Sequence, residues 1–164
     1  MNRSCAFAVT GTLFVLAVII ATIVSAPGQL CASEDGLGTI RARILEPVMR
    51  PPDRDDVAEL METLSAGGTW PDVDYTDDNG GNWATMRHLR NVQILARALT
   101  VPSSPRHNNP AIERAAMNSL DHWLTEDYTN PNWWWNEIGA PRSMIQTLLL
   151  LENRLTPEQK AKGN

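Results

Sequence analysis

Cysteine is scarce in this sequence, and no part of it has the pattern of a β-strand. The two cysteines, Cys5 and Cys31, both lie near the N-terminus, so the rest of the chain has neither a disulfide nor a thiolate nucleophile. No segment alternates apolar and polar residues over the length of a strand. Acidic residues outnumber basic ones and give a formal net charge of -5. We therefore expect no nucleic-acid partner, because that role needs a positive surface.

The N-terminus has the pattern of an export signal. Arg3 precedes an uncharged apolar run over residues 6–24, and small residues follow up to Ala32 and Ser33. These are the three parts of a secretory signal peptide. We predict that residues 1–32 are removed and that residues 33–164 form one domain, secreted to an extracellular or periplasmic location and free of the membrane after cleavage. The alternative is an uncleaved N-terminal membrane anchor, since the apolar run is long for a signal.

Apolar residues recur at helical spacing through the rest of the chain. Helices are predicted over residues 39–49, 54–64, 85–99, 110 to about 123, and 141–153, with Asp53 and Asn109 as caps. The polar, turn-rich connections between them suggest paired antiparallel helices. The expected fold is therefore all-α, with an α/α arrangement.

The last residues signal one more helix. Thr156 is placed to cap it, Pro157 takes the first helical position, and Gln159 completes a capping box. The sequence ends soon afterwards, at Asn164, which suggests truncation. The alternative is a short, frayed C-terminal helix.

Tryptophan is the abundant aromatic residue, with six copies against two tyrosines and two phenylalanines. Trp123 lies on a helical stripe and is expected in the core. The consecutive residues Trp133–Trp135 fall in a predicted loop, where they cannot all point inward. An indole ring stacks on the C–H face of a sugar and offers an N–H donor, and the flanking amides of Asn132 and Asn136 suit hydroxyls. The triplet predicts either a sugar-binding groove or an aromatic plug at one end of a helical core.

The residues after the triplet are expected to lead into a helix. Gly139 permits a tight turn, and Pro141 presets the first helical dihedral angle ahead of Arg142. Glu137 either contacts a substrate or accepts hydrogen bonds from the backbone N–H groups of the helix start.

No catalytic, metal or cofactor site is indicated. The acidic loop after Gly68 lacks the spacing of a calcium-binding EF-hand, and Trp70 and Tyr75 are expected to hold it against the helices. His88 on the third helix is expected to be structural, and no residue has the setting of a nucleophile. We predict no catalytic residue, no metal and no cofactor in this chain.

Three motifs in order resemble polysaccharide lyase family 8, which includes hyaluronate, chondroitin AC and xanthan lyases. Residues 132–142 resemble the family's N-W-W-x-x-E-I-G-x-P-R motif, and residues 68–75 resemble its G-x-W-x-D-I-D-Y loop. Trp83 and the run His88-Leu89-Arg90 are similar to parts of its W-x-x-x-x-H-L-x-R stretch. The resemblance extends over about residues 54–159 of the chain.

The resemblance implies that this chain forms the opening helical hairpins of an incomplete α/α toroid. It places the family's aromatic patch on Trp133 and Trp134, with Asn132 beside them, whereas Trp135 stands where members carry Asp or His. The implied partner is an anionic polysaccharide of hyaluronan, chondroitin or xanthan type. The substrate-binding residues expected from the motif are Asn132, Trp133, Trp134, Trp135, Asn136, Glu137 and Arg142.

The implied reaction is β-elimination at a uronic acid. The family's catalytic Asn, His, Tyr and Arg lie beyond the tryptophan motif, further than this sequence extends. The chain is therefore expected to be the N-terminal fragment of an exported polysaccharide lyase that binds sugar but has no catalytic centre of its own. The alternatives are a non-catalytic carbohydrate-binding helical protein and a scaffold whose aromatic loop docks another protein.

Overall fold

The computed structural model describes residues 34–163, which form six α-helices. These are α1 (Glu34–Leu45), α2 (Arg54–Thr63), α3 (Met86–Thr100), α4 (Pro110–Glu126), α5 (Ala140–Leu151) and α6 (Pro157–Lys162). No strand occurs within this range, which confirms the predicted all-α fold. The predicted signal segment and both cysteines lie outside the described residues.

Helix α3 lies at the centre of the domain and packs on α2, α4 and α5. Its apolar stripe is fully buried, with Leu89, Val92, Leu95 and Leu99 at 0% exposure. Burying such side chains is the main source of stability for a domain of this size. Within residues 34–163, no helix is both long enough and apolar enough to cross a membrane.

The predicted helix caps are confirmed. The side chain of Asp53 caps α2, and that of Asn109 caps α4 ahead of its first-position proline. Thr156 and Gln159 form the predicted capping box of α6. The amide of Gln159 also donates to Asp121 on α4 at 2.7 Å, so this short helix is tied to the core.

The bounds predicted for the first helix were wrong. Helix α1 starts at Glu34 and ends at Leu45, and a 3-10 turn over Glu46–Val48 follows it. Two glycines in the first turns weaken the helical signal at that end. Pro47 has no N–H group with which to continue the α-helical ladder, so the chain tightens there instead of extending to residue 49.

His88 is a buried polar residue at the centre of the core. Its Nε2 atom lies 2.9 Å from the Ser119 carbonyl, which only accepts, so Nε2 carries the proton. Its Nδ1 atom therefore accepts from the Tyr75 hydroxyl at 3.0 Å, and that hydroxyl accepts from the backbone N–H of Trp70. The Trp70 indole donates to the Leu60 carbonyl at 3.0 Å. These bonds confirm that His88 is structural and that Trp70 and Tyr75 hold the acidic loop on the helices.

Acidification is expected to destabilise the fold through His88. Burial lowers the pKa of His88 from 6.5 to about 4, because the core disfavours the charged imidazolium, and the neighbouring His122 acts in the same direction. Between these two pH values the unfolded chain binds more protons than the folded chain. The stabilisation is therefore complete above pH 6.5 and is lost as the pH falls towards about 4. We expect the free energy of unfolding to fall by about 3 kcal/mol across that range.

Urea unfolding followed by circular dichroism from about pH 7 to about pH 4 measures this dependence. His107→Gln, altered at an exposed histidine, is measured alongside as the control variant. A free energy of unfolding that stays flat between about pH 6.5 and about pH 5, where few carboxyl groups titrate, would contradict this account.

Candidate functional site

The tryptophan triplet begins a helix, so the predicted loop was wrong. Trp133 and Trp134 are already helical, and a π-helical turn over Trp135–Gly139 leads directly into α5. In a regular α-helix the ring of Pro141 would clash with the carbonyl group four residues earlier. The wider π-helical turn just before Pro141 accommodates the ring, and such turns are frequent at functional sites.

The three rings have different environments. Trp133 is 62% exposed and Trp134 is 42% exposed, whereas Trp135 is partly buried and donates its Nε1–H to the Gly80 carbonyl at 3.0 Å. The prediction that at least one ring of the triplet faces solvent is confirmed. We call the exposed rings of Trp133 and Trp134 the platform.

A column of aromatic rings connects the platform to the core. Trp134 meets Trp135 edge-on with 4.9 Å between ring centroids, and Trp135 lies 6.2 Å from Trp83. Trp83 lies 6.1 Å from Trp123, which in turn stacks on His88 at 5.6 Å. The predicted core position of Trp123 is confirmed by its 6% exposure. We call this series the ring column; it fixes the inner edge of the platform.

The Gly80 carbonyl joins the acidic loop to the tryptophan segment. Besides the indole of Trp135, it accepts the side-chain amide of Asn132 at 2.7 Å. The Asn132 side-chain oxygen in turn accepts the backbone N–H of Trp134 at 3.1 Å. Sequence reasoning did not identify Gly80, because a backbone acceptor leaves no residue-type signal.

The amides that were expected to face a ligand are largely engaged within the protein. The Asn136 side chain donates to the Asn130 carbonyl at 2.7 Å and accepts the Asn130 N–H at 2.8 Å. Asn132 and Asn136 each retain one free N–H. The carboxylate of Glu137 is exposed and has no hydrogen-bond or ion-pair partner among residues 34–163. The alternative in which backbone N–H groups bind it is therefore wrong.

The acidic side chains of the loop stabilise the loop itself. The carboxylate of Asp77 accepts the backbone N–H groups of Ala84 and Asn79, and its carbonyl accepts the Trp83 indole at 2.9 Å. Asp74 likewise accepts both the N–H and the hydroxyl of Thr76. In the described part of the chain, no three His, Cys, Asp or Glu residues are grouped to hold a metal ion.

Two arginines flank the platform. Arg90 on α3 and Arg142 on α5 are exposed and have no ion pair within the described range. Both line a cleft of about 230 Å³ whose wall includes Trp134 and Trp135. Planar guanidinium groups bind carboxylates in bidentate fashion, so the cleft offers an indole surface beside two anion-binding groups. Arg142 was predicted to bind substrate, but no role had been predicted for Arg90.

The fold itself is shared with a known enzyme. A solved structure of chondroitinase AC lyase, from a study of its enzyme-oligosaccharide complexes, matches with a TM-score of 0.64 and 24% identity. The match covers 78% of this chain and 19% of that chain. The helical fold is therefore one that a much longer enzyme chain also contains.

Sequence comparison defines the family. Chondroitinase-AC of Pedobacter heparinus is 29% identical over 152 residues, which cover 91% of this chain and 22% of the relative. Hyaluronate lyase of Staphylococcus aureus is 26% identical over 116 residues, which cover 57% of this chain and 14% of the relative. Residues 50–163 match the family described as polysaccharide lyase family 8, N terminal alpha-helical domain. The chain belongs to this family, and it spans less than a quarter of the length of these relatives.

Gly139→Ala is expected to disturb the platform. Gly139 has helical dihedral angles, φ -65° and ψ -55°, so the tight turn expected there was wrong. Glycine is needed for space, because an added Cβ would lie 2.6 Å from Trp135 Cε3 and 2.7 Å from Trp134 Cζ3. We expect a loss of about 1–3 kcal/mol in the free energy of unfolding together with a shifted tryptophan fluorescence maximum.

Gly38→Ala in α1 is the matched control for this measurement. A Cβ added there meets nothing within 4 Å, so stability should rise slightly, by up to about 1 kcal/mol. Gly139→Ala with unchanged stability and fluorescence would show that the rings can move aside at no cost.

Proposed function

We propose that this chain is the polysaccharide-binding N-terminal part of an exported lyase and that it binds uronic-acid polysaccharides on the platform. The observation that carries the proposal is the exposure of Trp133 and Trp134 above a rigid ring column. Large apolar rings gain free energy by burial, so rings held in water on a fixed support are suited to stacking on a ligand. Export is proposed from the N-terminal signal pattern.

The charge around the platform supports an anionic ligand. The chain is acidic as a whole, yet the cleft beside Trp134 is lined by Arg90 and Arg142. A uronate ring stacked on the platform would place its carboxylate beside these guanidinium groups. The names of the two relatives give chondroitin and hyaluronate as substrates, and we propose the same substrate class, which extends to xanthan in the family.

We propose that the β-elimination itself depends on groups outside this sequence. That reaction needs a base at the proton on C5, an acid at the leaving oxygen and a group that neutralises the uronate carboxylate. His88 does not suit the role of base, because it is fully buried and both its ring nitrogens are engaged. The arginines of the cleft suit the neutralising role alone, so the purified chain should bind polysaccharide without forming unsaturated products.

A second candidate function, docking to another protein, is favoured by a different observation. Ile138 in the π-helical turn and Ile145 on α5 are 43% and 48% exposed. Exposed apolar side chains such as these are typical of protein contacts. Ile145→Gln would weaken such docking while leaving glycan binding intact.

Replacing the platform rings is expected to abolish most glycan binding. Trp133→Ala combined with Trp134→Ala should weaken binding of hyaluronan and chondroitin oligosaccharides by at least about tenfold, because both stacking surfaces are lost. Isothermal titration calorimetry measures the affinity, and dextran serves as the uncharged control ligand. Full affinity in the double variant would remove the basis of the proposed function.

Removing a positive charge from the cleft is expected to lower the affinity for hyaluronan and to make that affinity less dependent on salt concentration. Arg142→Gln should weaken hyaluronan binding by about five- to tenfold, because it removes one charge-assisted contact. It should have little effect on hyaluronan whose carboxyl groups have been reduced to alcohols. Arg114→Gln is the matched control, since Arg114 is exposed, has no ion pair within the described range and lies outside the cleft. Equal losses with native and reduced hyaluronan would contradict a carboxylate contact.

A further inference from the structure

A second groove adjoins the cleft beside the platform. It lies between α2 and α3, has a volume of about 400 Å³, and shares Arg90 with the cleft. Volumes of this size are typical of small-molecule sites. Because Arg90 lines both spaces, the groove and the cleft meet at this side chain. None of the substrate-binding residues predicted from the tryptophan motif lies in it.

The groove contains a buried hydrogen-bond donor without a partner. Asn91, one of the residues that line it, is only 6% exposed. Its Nδ2 atom is buried and has no hydrogen-bond partner among the described residues. A buried donor left unsatisfied destabilises the folded chain, so a polar acceptor from outside the protein would relieve this cost.

The charges of the groove differ from those of the cleft. Arg87 pairs with Asp72 at 2.9 Å, which neutralises both. Asp56 and Glu59 on α2 are exposed and have no ion pair in the described part of the chain, so these two carboxylates outnumber the one unpaired guanidinium of the groove, Arg90 at its junction with the cleft. These carboxylates repel an anionic ring but accept hydrogen bonds from hydroxyl groups. The groove therefore suits an uncharged, hydroxyl-rich ligand.

We propose that the groove between α2 and α3 is a second subsite of the same polysaccharide chain and that it holds an uncharged sugar residue. This proposal rests on the proposed function of the platform. Leu60 and Ile94 provide apolar lining, and Asp56 and Glu59 accept hydrogen bonds from the sugar hydroxyls. The spare Asn91 donor, which is buried in the wall of the groove, donates to a sugar oxygen once the side chain turns towards the ligand. A polysaccharide that alternates uronic acid with an uncharged amino sugar matches the alternation of a cationic cleft and a groove with free carboxylates.

The test is the dependence of affinity on oligosaccharide length, measured by calorimetry on the full chain with hyaluronan disaccharide and octasaccharide. Asn91→Leu has nearly the same shape without the amide, so its thermal midpoint should be unchanged or raised. We expect it to weaken octasaccharide binding by about five- to tenfold and to leave disaccharide binding on the platform unchanged. Glu59→Leu, at an exposed position, should show the same dependence on length.

Asn153→Leu is the matched control, because Asn153 is an exposed asparagine away from both spaces, and it should alter neither affinity. If Asn91→Leu binds the octasaccharide as tightly as the native chain does, the groove proposal is overturned while the platform proposal stands. Equal losses for both lengths also overturn it, because they place Asn91 in support of the platform. Failure of the native chain to bind either oligosaccharide overturns both proposals.

Discussion

The exposed rings of Trp133 and Trp134 lie beside a third ring, Trp135, whose position is fixed by its contacts inside the protein. The Trp135 indole donates a hydrogen bond to the Gly80 carbonyl and packs against the buried ring of Trp83. Gly139 has no side chain, and the rings of Trp134 and Trp135 occupy the space that a Cβ atom would need. The loop that supplies Gly80 is itself folded by Asp77, whose carbonyl and carboxylate organise the backbone up to α3. The exposed surface thus depends on a rigid internal framework, and such preorganisation favours binding because little ordering remains to be done.

The fold could be predicted largely from the sequence, because its determinants are local or periodic. The caps Asp53, Asn109 and Thr156 and the stripe of α3 act within a few residues of each other and are read directly from residue types. The helix around the tryptophan triplet was missed for a physical reason. Proline and glycine close together normally indicate a helix boundary, but here a π-helical turn accommodates Pro141 and ring packing explains Gly139.

The candidate site was only partly predictable, since several of its parts come from distant segments. The tryptophans of the platform are visible in their motif, but the position of Arg90 beside them becomes visible only when α3 packs on α5. Asn132 and Asn136 have the residue type expected of ligand-binding amides, whereas their main partners are backbone groups of this chain. Residue type shows what a side chain can bind, and tertiary packing decides whether that capacity is already used.

The indole N–H resonances of the six tryptophans, recorded with and without a hyaluronan oligosaccharide, test the central claim most directly. If the platform is the binding surface, the signals of Trp133 and Trp134 shift on titration, while those of the buried Trp70 and Trp83, whose N–H groups are bonded to backbone carbonyls, stay in place. Saturable binding that leaves the Trp133 and Trp134 signals unmoved would contradict the account.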